Sequence, residues 1–195
     1  MKRTVRLLGI DGGFAKIGYC VADYHPADRI LLPLELGLVK TDKLASFATR
    51  ACDDNILRAQ DIARRVGALL RYPAKTGAVT VDAVCSEAMS YPRNSTSAAK
   101  VSLTWGVLAT LCELHSLPIV QAAPQAVKKG LTGRKDASKE DIIQILQAKY
   151  PQNPAVIRAS EDICKTDQEH PFDALASILC CVDSDVLRGV LRVKG

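Results

Sequence analysis

The stretch that decides the fold is EDICKTDQEHPFDALASILCCV, residues 161–182, in which an acidic segment passes into an apolar helix. Pro171 suits the first position of a helix, because its missing N–H would have no partner there. The apolar run over residues 174–182 then predicts a buried helix. Since side chains three apart share a helix face, we expect His170 and Asp173 to project together from its first turn.

Acidic side chains dominate the first half of this stretch. Residues 161–173 contain five carboxylates and one cation, Lys165, in a chain whose formal net charge is +5. Taken alone, the segment is explained by a solvated loop and a helix N-terminus that favours negative charge. The other interpretation is a cation site, because a bound cation would relieve the repulsion between the carboxylates. Two more acidic positions upstream bear on this choice.

Length and cysteine use bound the class of protein. A chain of 195 residues predicts a single domain over residues 1–195 with a sizeable core. Its seven cysteines form no CxxC pair and lie mostly in apolar segments, which indicates reduced thiols, with no disulfide framework or zinc site. The N-terminus enters a strand at once, and no apolar run approaches the length of a membrane span. We expect a soluble, cytoplasmic protein with no membrane partner.

Basic side chains are concentrated just before the acidic stretch. Residues 124–149 contain six cations and three acids, a local charge of +3. The cations are Lys128, Lys129, Arg134, Lys135, Lys139 and Lys149. A basic approach beside an acidic pocket suits a metal-dependent enzyme that acts on phosphodiesters, although a solvated lysine-rich face would give the same composition.

Apolar patterning predicts three strands followed by alternating helices and strands. The strands are expected over residues 4–10, 17–22, 30–39, 79–85 and 118–122, with Pro33 restricting the third to an edge. Helices are expected over residues 53–71, 96–115, 125–131, 138–150 and 171–193. This order implies an α/β fold with a five-stranded mixed sheet flanked by helices.

The expected topology brings separated acidic residues together. A right-handed crossover would place the fourth strand beside the first, so Asp11 and Glu87 would end neighbouring strands. Sites in such sheets lie at the carboxyl ends of strands. The first turn of the closing helix would cross the same edge with His170 and Asp173. Four side chains from three stretches are thus expected to converge.

These residues lie in motifs that resemble the RuvC family of Holliday-junction resolvases. The motifs are LLGIDGGFAKIGYCV (residues 7–21), AVCSEAMSY (83–91), QAVKKGLTG (125–133), SKEDI (138–142) and EHPFDALA (169–176). Each is weak alone, but together and in this order they are specific. The resemblance implies a ribonuclease H-like fold and a crossover junction endodeoxyribonuclease that leaves 5′-phosphate ends. It also implies branched DNA as the partner, and a homodimer of bacterial or phage origin.

The resemblance assigns site residues as well. Asp11, Glu87 and Asp173 match the metal-binding carboxylates of the family, and His170 occupies its fourth acidic position. Lys128 and Lys139 match lysines that contact phosphate. Tyr91 approximates the aromatic residue of the junction-opening loop, where Arg93 follows as a cation; an ordinary surface loop is the alternative. Lys129 is added as a phosphate contact from the charge pattern.

Phosphodiester hydrolysis explains why such residues are needed. Two Mg²⁺ ions can activate a water and stabilise charge on the attacking and leaving oxygens, and carboxylates are their preferred ligands. We expect Asp11 to bridge the two ions, with Glu87 and Asp173 as further ligands. His170 would be a ligand or would orient the water, and its imidazole would help Mn²⁺ to substitute. A helix-capping histidine is the alternative.

The helix expected over residues 96–115 has two apolar stripes. One contains Val101, Trp105, Leu108 and Cys112, and the other contains Leu103, Val107, Leu111 and Leu114. One stripe can cover the sheet, which leaves the other in need of a partner. The partner is either another part of the chain or a second copy of it, and the sequence does not say which stripe faces outward.

Other classes of function explain fewer of these features. An actin-like or sugar-kinase ATPase would need a second phosphate loop and roughly twice the length, and no Walker motif is present. A non-catalytic DNA-binding dimer on the same fold would not need the carboxylates. An RNA-processing nuclease of the same fold would use the same residues and stays open as an alternative, as do forks and flaps as substrates.

Overall fold

The chain forms its strands and helices in nearly the expected order. The computed structural model describes residues 4–43, 50–72, 76–90 and 93–193. Within those residues the strands are β1 (Val5–Gly12), β2 (Lys16–His25), β3 (Ile30–Lys40), β4 (Ala83–Glu87) and β5 (Ile119–Ala122). The helices are α1 (Ala51–Leu69), α2 (Ser95–Leu114), α3 (Pro124–Thr132), α4 (Lys139–Lys149), α5 (Pro154–Asp162), α6 (Glu169–Val182) and α7 (Asp185–Val193).

The five strands form one mixed sheet in the order β3-β2-β1-β4-β5. β1 pairs with β2 in antiparallel and with β4 in parallel, and β5 continues the parallel half. This confirms the expected crossover, because β4 lies beside β1. Pro33 lies in the edge strand β3, where a missing N–H is tolerated.

Alternate residues of β1 face two separate hydrophobic cores. Leu7 belongs to the core on the face covered by α6, whereas Leu8 and Ile10 belong to the core under α1 and α2. Successive side chains of a strand point to opposite faces, so one central strand serves both cores. Asp11 has the same parity as Leu7 and therefore lies on the face covered by α6.

Two glycines bring the backbone of α6 into contact with the sheet. A Cβ atom on Gly9 would lie 2.3 Å from the carbonyl oxygen of Ala174. One on Gly18 would lie 2.0 Å from the carbonyl oxygen of His170. Gly18 is also the cross-strand partner of Asp11. The first turn of α6 is consequently held directly over the end of the strand that carries Asp11.

The closing helix differs from its expected form. The expected single helix over residues 171–193 is two helices, and the break falls between Val182 and Asp185. The Ser184 hydroxyl accepts a hydrogen bond from the Leu187 N–H at 3.2 Å and donates to the Cys181 carbonyl at 2.6 Å. It thus caps α7 and ends the preceding helix. α6 also begins at Glu169, before Pro171.

Helices α1 and α5 show two further differences from the sequence prediction. α5 was missed because it has only 9 residues and one cap, Asn153, whose side chain accepts from the N–H groups of Ala155 and Val156. α1 begins at Ala51, so Asp53 and Asp54 lie in its first turn and do not cap it. In both cases the difference concerns where a helix begins, which depends on only a few residues.

The described helices and cysteines bear on two general properties of the chain. No helix in the described ranges is both long enough and apolar enough to cross a bilayer. All seven cysteines are free thiols, and four of them (Cys20, Cys85, Cys112 and Cys181) are buried. The thiols therefore contribute to packing and not to cross-links.

The close approach of α6 to β2 predicts that Gly18→Ala destabilises the protein. The added methyl group would overlap a backbone carbonyl that cannot rotate away, so we expect a loss of about 2 kcal/mol or more in the free energy of unfolding. Gly189→Ala is the matched control, because a Cβ there meets no atom within 4 Å and alanine favours a helix. Urea unfolding measures both; equal stability of Gly18→Ala and wild type would contradict the packing.

Candidate active site

The structure places the four expected site residues along one edge of the sheet. Asp11 lies near the carboxyl end of β1, and Glu87 is the last residue of the neighbouring parallel strand β4. His170 and Asp173 come from the start of α6. After burial, the charges of Asp11 and Glu87 add to the rise of the Asp173 pKa, which places the three carboxyl groups within interaction range.

A short hydrogen bond joins Asp11 to His170. His170 Nδ1 lies 2.6 Å from Asp11 Oδ2, and the two side chains are 20% and 27% exposed. An ionised carboxylate only accepts hydrogen bonds, so Nδ1 carries the proton in this contact. The bond to Asp11 raises the pKa of His170 although burial opposes the rise. In the neutral imidazole, Nε2 then keeps a lone pair that can bind a cation or accept a proton.

Burial and like charge raise the pKa values of the other carboxyl groups. Burial is the largest cause of the rise of the Asp173 pKa to about 7, and the charge of Asp11 adds to it. The pKa of Glu87 is also raised, first by burial and then by Asp11. The charge of Lys139 opposes the rise of the Asp173 pKa only partly, because its Nζ is 3.9 Å from Asp173 Oδ2. The cluster therefore holds more negative charge than its neighbours neutralise.

Glu169 is a site residue that sequence reasoning counted among the acids but did not assign a role. Its Oε2 atom lies 2.5 Å from Lys139 Nζ, and its Oε1 atom lies 3.7 Å from His170 Nε2. Glu169 thus links Lys139, the first residue of α4, to the first turn of α6. The sequence prediction began this helix at Pro171, whereas α6 begins at Glu169. Glu169 was therefore not expected to share the first helical turn with His170.

A recess of about 200 Å³ opens beside the carboxylates. Asp11, Glu87 and His170 line one part of it, while Val101 and Trp105 of α2 supply apolar surface. Trp105 therefore contributes to the site, whereas its stripe position had suggested packing or an interface. The recess offers acidic groups for a cation next to an apolar wall.

The donor set fits hard divalent cations. Carboxylate oxygens and one imidazole nitrogen are the ligands that Mg²⁺ and Mn²⁺ accept, and uncompensated negative charge favours their binding. Within the described ranges, no three such groups already converge on one point. Two contacts involve members of this donor set: Asp11 is hydrogen-bonded to His170, and Glu169 is paired with Lys139.

The expected DNA-binding residues are distributed unevenly around this site. Burial raises the pKa of Glu87, and the charges of Lys128 and Lys139 both oppose that rise, so both lysines lie within electrostatic range of this carboxyl. Lys128 also donates to the Ala137 carbonyl at 2.9 Å, and Lys129 is exposed. Arg93 is exposed just before the Asn94 cap of α2. Tyr91 lies outside the described residues.

Comparison with known proteins finds one family. The family model described as "Crossover junction endodeoxyribonuclease RuvC" matches residues 7–164, which include Asp11 and Glu87 and end before His170. The RuvC protein of Synechococcus sp. (strain WH7803) is 30% identical over 141 residues, covering 72% of this chain and 80% of that protein. That of Geotalea uraniireducens is 25% identical over 189 residues, covering 97% and 95%.

Solved structures show the same fold. The structure of Thermus thermophilus RuvC in complex with Holliday junction substrate aligns with a TM-score of 0.66 and 19% identity over 98% of this chain and 97% of that one. A second structure of the same RuvC protein aligns with a TM-score of 0.63 at 21% identity. The fold is therefore ribonuclease H-like, and the alignment extends through α6.

The raised pKa of Asp173 predicts how the metal-free protein responds to pH. The carboxyl titrates near 7 in the folded protein and near 4 in an unfolded chain, so ionisation penalises the folded state as pH rises between those values. Asp173→Asn removes the penalty. With chelator present, we expect this variant to exceed wild type by about 2–4 kcal/mol at pH 8 and to match it near pH 4.

Urea unfolding across this pH range measures the difference. Asp23→Asn is the control, because Asp23 accepts hydrogen bonds from Arg6 at 2.8 and 3.0 Å, so its loss lowers stability at pH 8. Equal stability of Asp173→Asn and wild type at pH 8 would show that Asp173 is not under the electrostatic stress described here.

Proposed function

This chain belongs to the RuvC family of crossover junction endodeoxyribonucleases, and we propose that its carboxylate cluster hydrolyses one phosphodiester in each of two strands of a branched DNA. The enzyme is a structure-selective endonuclease that resolves Holliday junctions. The observation that carries the site assignment is the position of Asp11, Glu87 and Asp173 at one sheet edge, where burial and the charge of Asp11 raise the pKa values of Glu87 and Asp173. Nucleases of this family depend on metal, and we propose two Mg²⁺ ions, with Mn²⁺ able to substitute.

Each residue of the cluster has a proposed task. Asp11, Glu87 and Asp173 would hold the divalent ions, which activate water and stabilise the charge that develops on the phosphate oxygens. Asp11 has the central place, because it contacts His170 and influences both other carboxyls. His170, with its proton on Nδ1, would use Nε2 to bind metal or to orient the attacking water.

The neighbouring cations are proposed to hold the DNA backbone. Lys128 and Lys139 lie beside the acidic cluster, where a phosphate approaching the carboxylates would pass between opposite charges. Lys129 and Arg93 are exposed and are proposed as further phosphate contacts. Such contacts position DNA without reading its sequence. Tyr91 is proposed, from its position after Glu87, as a residue that stacks on an unpaired base.

The carboxylate assignment predicts separation of cutting from binding. Asp11→Asn, Glu87→Gln and Asp173→Asn should each lower cleavage of a labelled four-way junction by roughly a thousandfold or more, because a metal ligand is lost. Junction affinity should be retained, since no cation facing the DNA is removed. Glu161→Gln, on the exposed end of α5, is the control.

Cleavage gels and gel-shift titrations measure the two properties in Mg²⁺ and in Mn²⁺. If all three variants cut at the wild-type rate, the site assignment is wrong. Three-way, flap, linear and RNA-containing substrates in the same series define the substrate class; preferential cutting of RNA would favour the RNA-processing alternative.

We also propose that the enzyme acts as a two-fold homodimer. The stripe of α2 that contains Leu108 and Cys112 is buried in the core, whereas the stripe that contains Leu103, Val107 and Leu111 is only partly buried against it, and we propose the latter as the outward one. It lines an apolar groove of about 550 Å³ together with Ala63 of α1, and Leu114 at its end is 73% exposed. Two symmetry-related cuts need two sites related by a two-fold axis, which an isologous interface provides.

The outward stripe predicts which substitutions dissociate the dimer. Light scattering at low micromolar concentration should give about twice the chain mass of 21.0 kDa for wild type. Leu111→Glu and Leu114→Glu should yield a folded monomer, because charge is placed in the interface. Leu108→Glu should unfold the protein instead, since that side chain is 2% exposed. A wild type that scatters as a monomer with and without DNA would contradict the dimer.

A further inference from the structure

A buried carboxylate lies three residues before His170. Asp167 is 3% exposed, and its two oxygens are paired with different lysines. Lys16 Nζ lies 2.5 Å from Oδ1, and Lys40 Nζ lies 2.7 Å from Oδ2. We call these three residues the Asp167 ion triad. The hydrogen bond from Lys16 is the largest of the causes that lower the Asp167 pKa to about 2, so the group stays ionised at neutral pH.

The two lysines come from paired strands. Lys16 begins β2, Lys40 ends β3, and they are cross-strand partners in the sheet. Like charges directly opposite each other destabilise a strand pair. Asp167 lies between them and contacts both, so one carboxylate compensates the repulsion and joins two strand ends to the turn before α6. The side chains of Lys16 and Lys40 are 42% and 53% exposed, which leaves Asp167 as the buried member.

The ion triad is connected through the backbone to the catalytic histidine. The Asp167 N–H donates to the Cys164 carbonyl at 2.7 Å, and the His170 N–H donates to the Asp167 carbonyl at 3.3 Å. Two residues after Lys16 in β2, Gly18 has no side chain and so leaves room for the His170 carbonyl. The position of the His170 backbone is thus set by two contacts with β2, one steric and one electrostatic.

We propose that Asp167 is a positioning residue of the active site, which holds the turn before α6 on β2 and β3 through Lys16 and Lys40 and thereby keeps His170 in hydrogen-bond contact with Asp11. Each carboxylate oxygen of Asp167 is paired with one of these lysines, so the charge of Asp167 serves this contact. Gln168 anchors the same turn to the end of α5 by donating to the Ser160 and Ile163 carbonyls at 2.7 and 2.9 Å, whereas the triad ties the turn to β2 and β3. A shift of about 1 Å in His170 is enough to reduce turnover strongly.

The test compares Asp167→Asn with wild type by two measurements. Nitrogen NMR of the imidazoles reports the Nδ1 proton of His170, and with only three histidines in the chain a His170→Gln spectrum identifies the signal. We expect the hydrogen-bonded Nδ1 proton to be observed in wild type and to be lost or to exchange rapidly with solvent in the variant. Single-turnover cleavage should fall roughly tenfold or more, with junction affinity within about twofold.

Matched variants separate positioning from loss of stability. Asp23→Asn removes an ion pair with Arg6 from the opposite end of the same strands and should leave the His170 signal and turnover unchanged. Lys16→Met should weaken the Nδ1 signal and Lys16→Arg should restore it, which also provides a test if Asp167→Asn does not fold. A folded Asp167→Asn protein with the wild-type His170 signal and turnover would overturn the proposal, and so would equal loss in Asp23→Asn.

The inference rests on the nuclease function proposed above, but its NMR arm requires no DNA and no metal. If wild type fails to cut any substrate while the His170 signal depends on Asp167, the proposed function fails and the structural role of the triad stands. If wild type cuts and the signal ignores Asp167, only the positioning role is wrong.

Discussion

The direct contact between the backbone of α6 and the sheet is the constraint on which the rest of the structure depends. Helices usually lie on sheets at a distance set by side chains, but here Gly9 and Gly18 remove those side chains from two adjacent strands. The first turn of α6 therefore reaches the end of β1 closely enough for His170 to contact Asp11. Burial of Phe172 and Leu175 in the same helix supplies the apolar contacts that hold it there.

This arrangement forces acidic groups together in a place where the protein alone does not neutralise them. Burial raises the pKa of Asp173, and Lys139 is shared between Asp173 and Glu169. Repulsion between carboxyl groups persists at functional sites because the packing of surrounding residues fixes the positions of those groups. Protonation of Asp173 relieves this repulsion as the pH falls through about 7, and the proposed divalent cations would relieve it at higher pH.

The fold class and the residues that lie at the site edge could be predicted from the sequence. Both follow from the order of strands and helices, which local patterns of apolar and polar residues indicate. The parallel pairing of β1 with β4 follows from strand order and crossover handedness, and it alone places Asp11 near Glu87. Other features depend on packing between distant segments. The tasks of Glu169 and Asp167 rest on Lys139, Lys16 and Lys40, which lie far from them in sequence. The outward stripe of α2 likewise became identifiable only once Leu108 was seen facing the core.

The order in which the site residues occur along the chain has a consequence for synthesis. All five strands precede residue 123, whereas His170 and Asp173 lie in α6, which covers the sheet last. A nascent chain that has already emerged through β5 has Asp11 and Glu87 in place but lacks both the partner of Asp11 and the helix that completes one core. On the proposed site assignment, a chain that stops before α6 would lack two of the four site residues and the helix that covers one core, so it would be inactive and prone to misfolding.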